Sequence, residues 1–280
     1  MSEVNEPAAW RAVLPWPDGD THKHARGRLG VIAGGPLRTG AARLVARAGL
    51  RIGAGVVKVL CPPESAAVLA PVLEAALLDS FTGEDELETL ARPMHAVVIG
   101  PAAGVTDATM ENLEALQRTG AALVVDADAL TVFRESPGDL FGWLDRDDVL
   151  TPHAAELERL FPGLLAEQGR IGAAVRAAAQ AGAVVVLKGQ QTVIAAPDGR
   201  VRLNQARAPW LATAGSGDVL AGMIGGLLAQ AHATGMDSFD AASAAVWLHA
   251  EAARRFGPGL IAEDLPDALP PLLAELYPGG

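Results

Sequence analysis

Short, unbroken apolar segments rich in β-branched residues recur along the chain, and they constrain its fold more than any other feature. They lie at residues 29–33, 56–60, 96–99, 121–125, 148–150 and 183–187. A continuous apolar run indicates a strand that is covered on both faces. The segments between them carry apolar residues at the three- and four-residue spacing of amphipathic helices, at 41–52, 109–119, 154–161 and 171–181. This alternation predicts an α/β fold with a mostly parallel sheet between two helical layers.

The pattern changes after residue 188. Two short apolar segments, 192–196 and 201–203, flank a Pro-Asp-Gly turn and predict a hairpin added at one side of the sheet. Three helices are then expected at 217–233, 239–256 and 265–277, the last with Pro266 in its first turn. Without an internal repeat or a break in composition, we expect one domain over residues 1–280 with a short N-terminal arm at about 1–24.

Composition excludes several classes of protein. Half of the 280 residues are hydrophobic and 20% are charged, which excludes a disordered chain. The formal net charge of -11 has the wrong sign for a protein that binds mainly nucleic acid or an anionic membrane. A single cysteine, Cys61, excludes an intramolecular disulfide and a zinc site of several thiolates. We expect that side chain to be a small buried hydrophobe.

Neither a targeting signal nor a membrane span is indicated. Residues 1–16 mix charges and prolines without a continuous apolar core, so a cytoplasmic protein is expected. The longest uncharged run, 219–236, contains Gln230 and four glycines and predicts a buried helix.

Small or polar residues follow the predicted strands, at Gly34-Gly35, Gly100-Pro101, Asp126 to Asp128, Thr151 to His153 and Lys188-Gly189. The carboxyl ends of parallel strands meet at one edge of the sheet, where ligands bind in open α/β folds. Any one of these sites, taken alone, is explained better by residues that simply end strands and start helices. Together they predict a cleft at that edge.

A glycine-rich turn at 213–217 runs directly into a long apolar helix. Gly215 and Gly217 allow a ligand to approach the backbone, and the free amides at a helix start favour an anion. Asp218, in the first turn, could take a proton from an attacking hydroxyl while the amides stabilise a phosphoryl group. Alternatively, Ser216 or Asp218 could simply cap the helix. The turn matches neither a Walker A loop nor the Rossmann fingerprint.

The Gly-Ser-Gly-Asp turn resembles the anion hole and catalytic aspartate of the ribokinase-like superfamily, and neighbouring motifs narrow the match to ADP-dependent NAD(P)H-hydrate dehydratases. The motifs are at 30–35, 39–42, 100–104, 125–130, 150–156 and 186–192. The resemblance runs from His22 to His249, and several motifs in one order are more specific than any one of them.

The resemblance implies a ribokinase-like three-layer αβα sandwich and a repair enzyme. Such a lyase restores NADH or NADPH from the S-epimer of its hydrated form, with ADP as phosphate donor, Mg²⁺ as cofactor, and AMP and phosphate as products. The ring hydroxyl is phosphorylated, and phosphate then leaves because the ring nitrogen lone pair displaces it. Homo-oligomers, commonly tetramers, are typical of the family, and epimerisation is expected to need a separate protein because no fused epimerase domain precedes the first strand.

The resemblance also implies residue roles. Asp218 is the catalytic residue, and Gly215, Ser216 and Gly217 form the anion hole. The adenine nucleotide contacts Lys188, Gly189, Gln190, Gln191, Thr192 and Gly217. The hydrated dinucleotide contacts Ala41, Gly104, His153 and Asp218. No protein residue is assigned as a metal ligand.

Several of these residues have a second interpretation. Ala41 could belong to a helix start packed on a strand, and His153 could be a polar residue at a strand end. Asp126 and Asp128 could hold Mg²⁺ through water or cap the next helix, and both alternatives stay open. We expect His249 to be packed rather than catalytic.

The chain departs from the family pattern at three places. Ser216 stands where threonine is commonest, Ala102 where glycine is frequent, and Ala154-Ala155 where Pro-Gly is usual. The alanine at 102 predicts less backbone freedom in the loop that carries Gly104.

Two other functions compete with the lyase. One is a ribokinase-like kinase that leaves phosphate on a small vitamin-precursor alcohol, and the other is a nucleotide sensor without turnover. The order of the Thr-Pro-His and Lys-Gly-x-x-Thr motifs favours the lyase over the kinase, and the presence of Asp218 argues against the sensor.

Overall fold

A computed structural model, which describes residues 2–231 and 234–278, places ten strands in one sheet. In chain order they are β1 (Glu3–Val4), β2 (Arg28–Ile32), β3 (Val56–Cys61), β4 (Leu77–Ser80), β5 (Ala96–Ile99), β6 (Ala122–Val125), β7 (Val149–Leu150), β8 (Val184–Leu187), β9 (Thr192–Ala195) and β10 (Val201–Asn204). Their order across the sheet is β1-β10-β9-β8-β7-β6-β5-β2-β3-β4. Among the described strands only β9 runs against its neighbours, so the predicted parallel sheet and added hairpin are confirmed.

Eleven α-helices occupy the described ranges. They are α1 (Thr39–Arg51), α2 (Pro63–Leu69), α3 (Glu84–Ala91), α4 (Asp107–Gln117), α5 (Asp128–Thr131), α6 (Pro137–Trp143), α7 (Ala154–Leu160), α8 (Leu164–Ala181), α9 (Ser216–Ala231), α10 (Ser238–Phe256) and α11 (Leu265–Leu276). The predicted helices are present with ends within a few residues, although 164–170 extends α8 beyond its predicted start. The predicted end of α9 at residues 232–233 lies outside the described residues.

Both faces of the sheet are covered by helices. Along β5, Ala96 and Val98 belong to one apolar cluster, while Val97 and Ile99 belong to the other. Helices α1, α2, α9, α10 and α11 supply the first cluster, and α3 to α8 supply the second. The unbroken apolar strands therefore arise because both faces are buried, as the sequence predicts.

The N-terminal arm is part of the sheet. Its strand β1 pairs in parallel with β10 at the sheet edge. Trp10 is buried with its ring edge-on to Trp247, and its indole N–H donates to Asn5 Oδ1 at 3.1 Å. The amide of Asn5 in turn donates to the Ser243 carbonyl at 2.8 Å. These contacts attach the arm to α10.

Helix α9 is buried along most of its length, which confirms the interpretation of its uncharged sequence as a buried helix. Among the described residues, none of the helices combines the length and the apolar character needed to cross a membrane. Cys61 is buried and free, as expected.

Candidate active site

Three polar segments meet at the carboxyl edge of the sheet, after strands β6, β7 and β8. The Lys188 amide donates to the Pro152 carbonyl at 2.9 Å, which places Lys188 and His153 side by side on neighbouring strands. The Lys188 ammonium lies 2.6 Å from Oδ1 of Asp126. Because Asp126 is only 2% exposed, this ion pair neutralises a buried carboxylate.

The glycine-rich turn lies against this cluster. Gly215 has a φ of +85°, a left-handed conformation that favours glycine, and a Cβ there would lie 2.7 Å from Leu44 Cδ1 and displace that side chain. Helix α9 starts at Ser216, whose hydroxyl donates to the Leu211 carbonyl at 2.8 Å. Ser216 therefore does not cap the helix with its side chain. The Ser216 and Val219 amides donate to the carbonyls of Thr213 and Gly215, while those of Gly217 and Asp218 have no acceptor among the described residues and are available to a ligand.

Lys188 and the start of α9 approach each other closely. A Cβ built on Gly217 would lie 3.6 Å from the Lys188 ammonium, in ordinary van der Waals contact. A cation and the positive end of a helix thus face the same space. An anion such as a phosphate is the ligand that this arrangement favours.

Asp218 carries a perturbed pKa in this cluster. Burial of the carboxyl group raises its pKa to about 6, and the negative charges of Asp126 and Asp128 act in the same direction. The positive charge of Lys188 opposes them. At neutral pH the group is mainly ionised, and its pKa is close enough to 7 for it to accept a proton from a substrate.

The carboxylates of Asp126 and Asp128 each have a partner in the structure, and these contacts bear on whether the two residues cap the next helix. Asp128 Oδ2 accepts the Gly104 amide at 2.8 Å and lies 3.9 Å from Nη1 of Arg38. No side chain caps helix α5 in the described residues. The helix-cap alternative is therefore wrong, and the two carboxylates contact Lys188 and the Gly104 amide instead.

A cleft of about 1100 Å³ opens beside Lys188. It is lined by the predicted nucleotide residues of two distant segments, Lys188, Gly189, Gln190, Gln191, Thr192 and Gly217, and by Ser216 of the predicted anion hole. The Thr192 hydroxyl donates to the Gly189 carbonyl at 3.3 Å, so it closes the turn formed by residues 188–192, the nucleotide turn. The cleft is also lined by residues 204–209, including Arg207, which the sequence patterns did not single out because this loop lacks a motif.

His249 forms part of the wall of this cleft. It is 6% exposed, and its Nε2 lies 2.9 Å from the Ser216 carbonyl. Since a carbonyl only accepts hydrogen bonds, the histidine must donate. Burial lowers the His249 pKa to about 4, so the ring is neutral at pH 7. The prediction that His249 is packed is confirmed. Its hydrogen bond to Ser216 also joins α10 to the start of α9.

The residues predicted for the hydrated dinucleotide lie outside the lining of that cleft. Ala41 is in the first turn of α1, and Gly104 holds Asp128 as described above. His153 caps α7: its Nδ1 accepts the Glu156 amide at 3.2 Å, and its own amide donates to Glu156 Oε2 at 2.8 Å. The His153 side chain is 50% exposed, so the cap leaves ring surface available to a ligand.

The fold and the carboxyl-edge site define a ribokinase-like α/β protein. The structure superposes on a ribokinase-like superfamily protein of Enterococcus faecalis with a TM-score of 0.84 at 24% identity, over 99% of this chain and 96% of the other. Residues 29–270 match the profile of the NAD(P)H-hydrate dehydratase family. The chain therefore belongs to that family.

Several similar proteins have names that state a function in NAD(P)H-hydrate repair. An ADP/ATP-dependent NAD(P)H-hydrate dehydratase from Bacillus subtilis, co-crystallised with ATP and Mg²⁺, has a TM-score of 0.82 and is 28% identical over 99% of both chains. The bifunctional NAD(P)H-hydrate repair enzyme Nnr of Salinibacter ruber is 36% identical over 98% of this chain and 53% of its own length. The corresponding enzyme of Mycobacterium tuberculosis (strain CDC 1551 / Oshkosh) is 40% identical over 86% of this chain and 47% of its own length. The chain spans about half the length of these bifunctional relatives.

Proposed function

We propose that this protein dehydrates the S-epimer of hydrated NADH and NADPH, with ADP as phosphoryl donor and AMP and phosphate as products. One observation carries the proposal: a carboxylate of raised pKa, Asp218, lies in the first turn of α9 directly after Gly217, and a Cβ built on Gly217 would lie 3.6 Å from the Lys188 ammonium. This places a proton acceptor next to a site for a phosphate. Membership of the dehydratase family supports the choice of substrate.

The reaction needs both a proton acceptor and a phosphate site because hydroxide is a poor leaving group and must first be converted to a phosphate ester. Asp218 accepts the proton of the ring hydroxyl, whose oxygen attacks the β-phosphorus of ADP while the bond to the AMP oxygen breaks. The phosphorylated carbon then loses phosphate, which departs with the C–O electron pair as the ring nitrogen lone pair forms a C=N bond. The adjacent ring carbon then loses a proton to the departing phosphate or to water, and the electron pair of that C–H bond restores the dihydropyridine. Atoms and charge balance without an oxidant.

The turn and the lysine stabilise charge on the transferring group. In the proposal, the amides of Gly215, Ser216 and Gly217 face the phosphoryl oxygens, and Lys188 neutralises part of their charge. Residues 188–192 hold the rest of the nucleotide. Ala41, Gly104 and His153 line the dinucleotide side, where His153 has an exposed ring face. Local donors of this kind bind anions even though the net charge is -11.

The residues present suit a magnesium ion that is shared with the nucleotide. In the described ranges there is no group of three or more His, Cys, Asp or Glu side chains that could hold a metal ion. Mg²⁺ bound with nucleotides uses only one or two carboxylates, together with phosphates and water. Asp126 and Asp128 can supply these one or two carboxylates, and Asp126 lies beside Lys188. When bound, Mg²⁺ neutralises phosphate charge.

The proposed reaction is tested by mixing the protein with hydrated NADH, Mg²⁺, and ADP or ATP. We expect the absorbance of reduced nicotinamide to return with release of one phosphate per ring restored. A comparison of the two nucleotides identifies the donor. A stable phosphorylated alcohol without recovery of absorbance would favour the kinase alternative.

The role of Asp218 is tested by Asp218→Asn. We expect turnover to fall at least ~10²-fold, the range for loss of an acid–base group, while ADP binding is retained. Asp107→Asn is the matched control, because Asp107 is also in a first helical turn but is exposed. Near-normal turnover of Asp218→Asn would overturn the assignment.

A further inference from the structure

Arg170 reaches the nucleotide turn from helix α8. Its Nη2 lies 3.2 Å from the Leu187 carbonyl, 3.0 Å from the Lys188 carbonyl and 3.3 Å from the Gln191 carbonyl. One guanidinium nitrogen thus connects both ends of the turn. The arginine is placed there by a break in α8, because Gly169 has a non-helical φ of 63° and the regular helix resumes at Arg170.

These hydrogen bonds fix the orientation of two peptide groups. In a trans peptide the carbonyl and the amide N–H point in opposite directions. The Leu187–Lys188 peptide shows this, since its carbonyl meets Arg170 while its N–H donates to the Pro152 carbonyl. By the same geometry, the Lys188 carbonyl bound to Arg170 turns the Gly189 N–H away from α8. That N–H makes no hydrogen bond within the described residues, and Gly189 lines the cleft.

Gly189 and the guanidinium fit closely together. A Cβ at Gly189 would lie 2.5 Å from Nη2 and 3.0 Å from Cζ of Arg170. A side chain at that position would therefore have to displace the arginine, which is the flexible partner. Arg170 can therefore keep this position only while residue 189 has no side chain.

The charge of Arg170 is also not neutralised by an ion pair. None of the carboxylates in the described part of the chain lies within 4.0 Å of its nitrogens, in contrast to Lys188, which is paired with Asp126. The hydrogen bonds to carbonyls leave the positive charge intact. It adds to the potential that attracts an anion to this turn.

We propose that Arg170 is a positioning residue for nucleotide binding: it holds the nucleotide turn so that the Gly189 amide faces the cleft and the Lys188 side chain is aimed at the phosphates. The inference rests on the proposed use of ADP. It assigns to Arg170 an effect on nucleotide affinity and not on the chemical step.

The test compares Arg170→Ala and Arg170→Lys with Arg176→Ala, an exposed arginine on the same helix. Binding of Mg²⁺-ADP is measured by calorimetry, and steady-state kinetics are measured with hydrated NADH. For Arg170→Ala we expect Kd and KM for ADP to rise on the order of tenfold, the change expected from loss of hydrogen bonds to a charged group. KM for the hydrated dinucleotide and kcat at saturating ADP should stay within about twofold, and Arg170→Lys should recover part of the affinity.

A double-mutant cycle shows whether Arg170 acts through the turn. Gly189→Ala should weaken ADP binding severalfold in the wild-type background, because the new methyl group displaces the guanidinium. In the Arg170→Ala background the same change should have little further effect. Equal losses in both backgrounds, or a fall in kcat with an unchanged KM for ADP, would overturn the proposal. Failure of the wild-type protein to bind ADP would overturn the proposed function and this inference with it, whereas tight wild-type binding with an unaffected Arg170→Ala variant would overturn the inference alone.

Discussion

The ammonium of Lys188 lies 2.6 Å from the buried carboxylate of Asp126, and it also lies beside Gly217 at the start of α9. We propose that the lysine has two functions. It compensates a carboxylate that is shielded from water, and it presents a positive charge to the space where a phosphate is proposed to bind. Substitutions at the two positions should separate these functions.

Lys188→Met should weaken ADP binding more than binding of the hydrated dinucleotide, and it should also destabilise the fold. Breaking a fully buried pair costs ~3–5 kcal/mol, and we expect about 2 kcal/mol here because Lys188 is 21% exposed. The second change Asp126→Asn removes the unpaired charge. We expect it to restore much of the stability in urea unfolding while ADP affinity, measured by calorimetry, stays low. An unchanged ADP affinity in Lys188→Met would contradict the nucleotide assignment.

The pKa of Asp218 predicts how activity depends on pH. Its pKa of about 6 means that the base is increasingly protonated, and so inactive, as pH falls below 6. The value of kcat/KM should therefore fall about tenfold per pH unit in that range, since this ratio reports the free enzyme. Lys188 lowers the pKa of Asp218, so the acid limb should move to higher pH in Lys188→Met. A limb near pH 4, or a shift toward lower pH, would show that another group controls the profile.

The same pKa predicts a stability difference. Because the folded-state pKa of about 6 exceeds the ordinary value of 3.8, the folded protein holds this proton more tightly than the unfolded chain. The ionised carboxylate therefore destabilises the fold above pH 6, and this effect disappears below about pH 4. Asp218→Asn should thus unfold at a higher temperature than the wild type at pH 8 but not at pH 4. The pKa of Asp148, which burial raises to about 7, affects both proteins equally and cancels in the comparison.

Asp107→Asn serves again as the control for this stability experiment. Asp107 is exposed, so its substitution should leave the difference between pH 4 and pH 8 unchanged. A constant difference between Asp218→Asn and the wild type across this range would mean that Asp218 is not strained by burial and neighbouring charge.

The elements that can be predicted from the sequence are those whose buried side chains recur at a regular spacing. Strands such as β5 and β8 are covered on both faces, so their sequences are unbroken apolar runs. The edge strands β1 and β4 were missed, because their side chains are largely exposed and no continuous apolar run is needed there. Helices α2, α3, α5 and α6 were missed, and each has at most eight residues to establish a period. The equally short α7 was predicted because Leu157, Leu160 and Phe161 keep the three- and four-residue spacing.

For the candidate site, the sequence predicts which segments come together better than it predicts which side chains contact each other. Motif order singled out residues 188–192 and the start of α9, and the structure shows that both line one cleft. The contacts of Lys188 with Asp126 and of Arg170 with the turn join residues far apart in sequence, and no local pattern specifies them. The cap formed by His153 did have a signal: Glu156, three residues later, completes a capping box in which histidine replaces the usual serine or threonine.

Two substitutions at His153 separate its cap from its proposed ligand contact. Asparagine offers an acceptor in place of Nδ1, so His153→Asn should change stability by less than about 0.5 kcal/mol, whereas His153→Ala should lose about 1 kcal/mol. If the exposed ring contacts the dinucleotide, both variants should raise KM for the hydrated dinucleotide. A KM for His153→Asn equal to that of the wild type would restrict His153 to its role in capping α7.

The loop after β5 contains the departure from the family pattern at Ala102. Alanine there has a φ of +55°, in the left-handed region that costs an L-residue about 1–2 kcal/mol, and Gly104 two residues later holds Asp128. Ala102→Gly removes this strain but increases the entropy of the unfolded chain, so we expect a net gain in stability of about 0.5–1 kcal/mol. Ala103→Gly is the matched control, because Ala103 is not in the left-handed region and glycine there should lower stability by a similar amount. Urea unfolding distinguishes the two signs, and a loss of stability in both variants would mean that the loop accommodates Ala102 without strain.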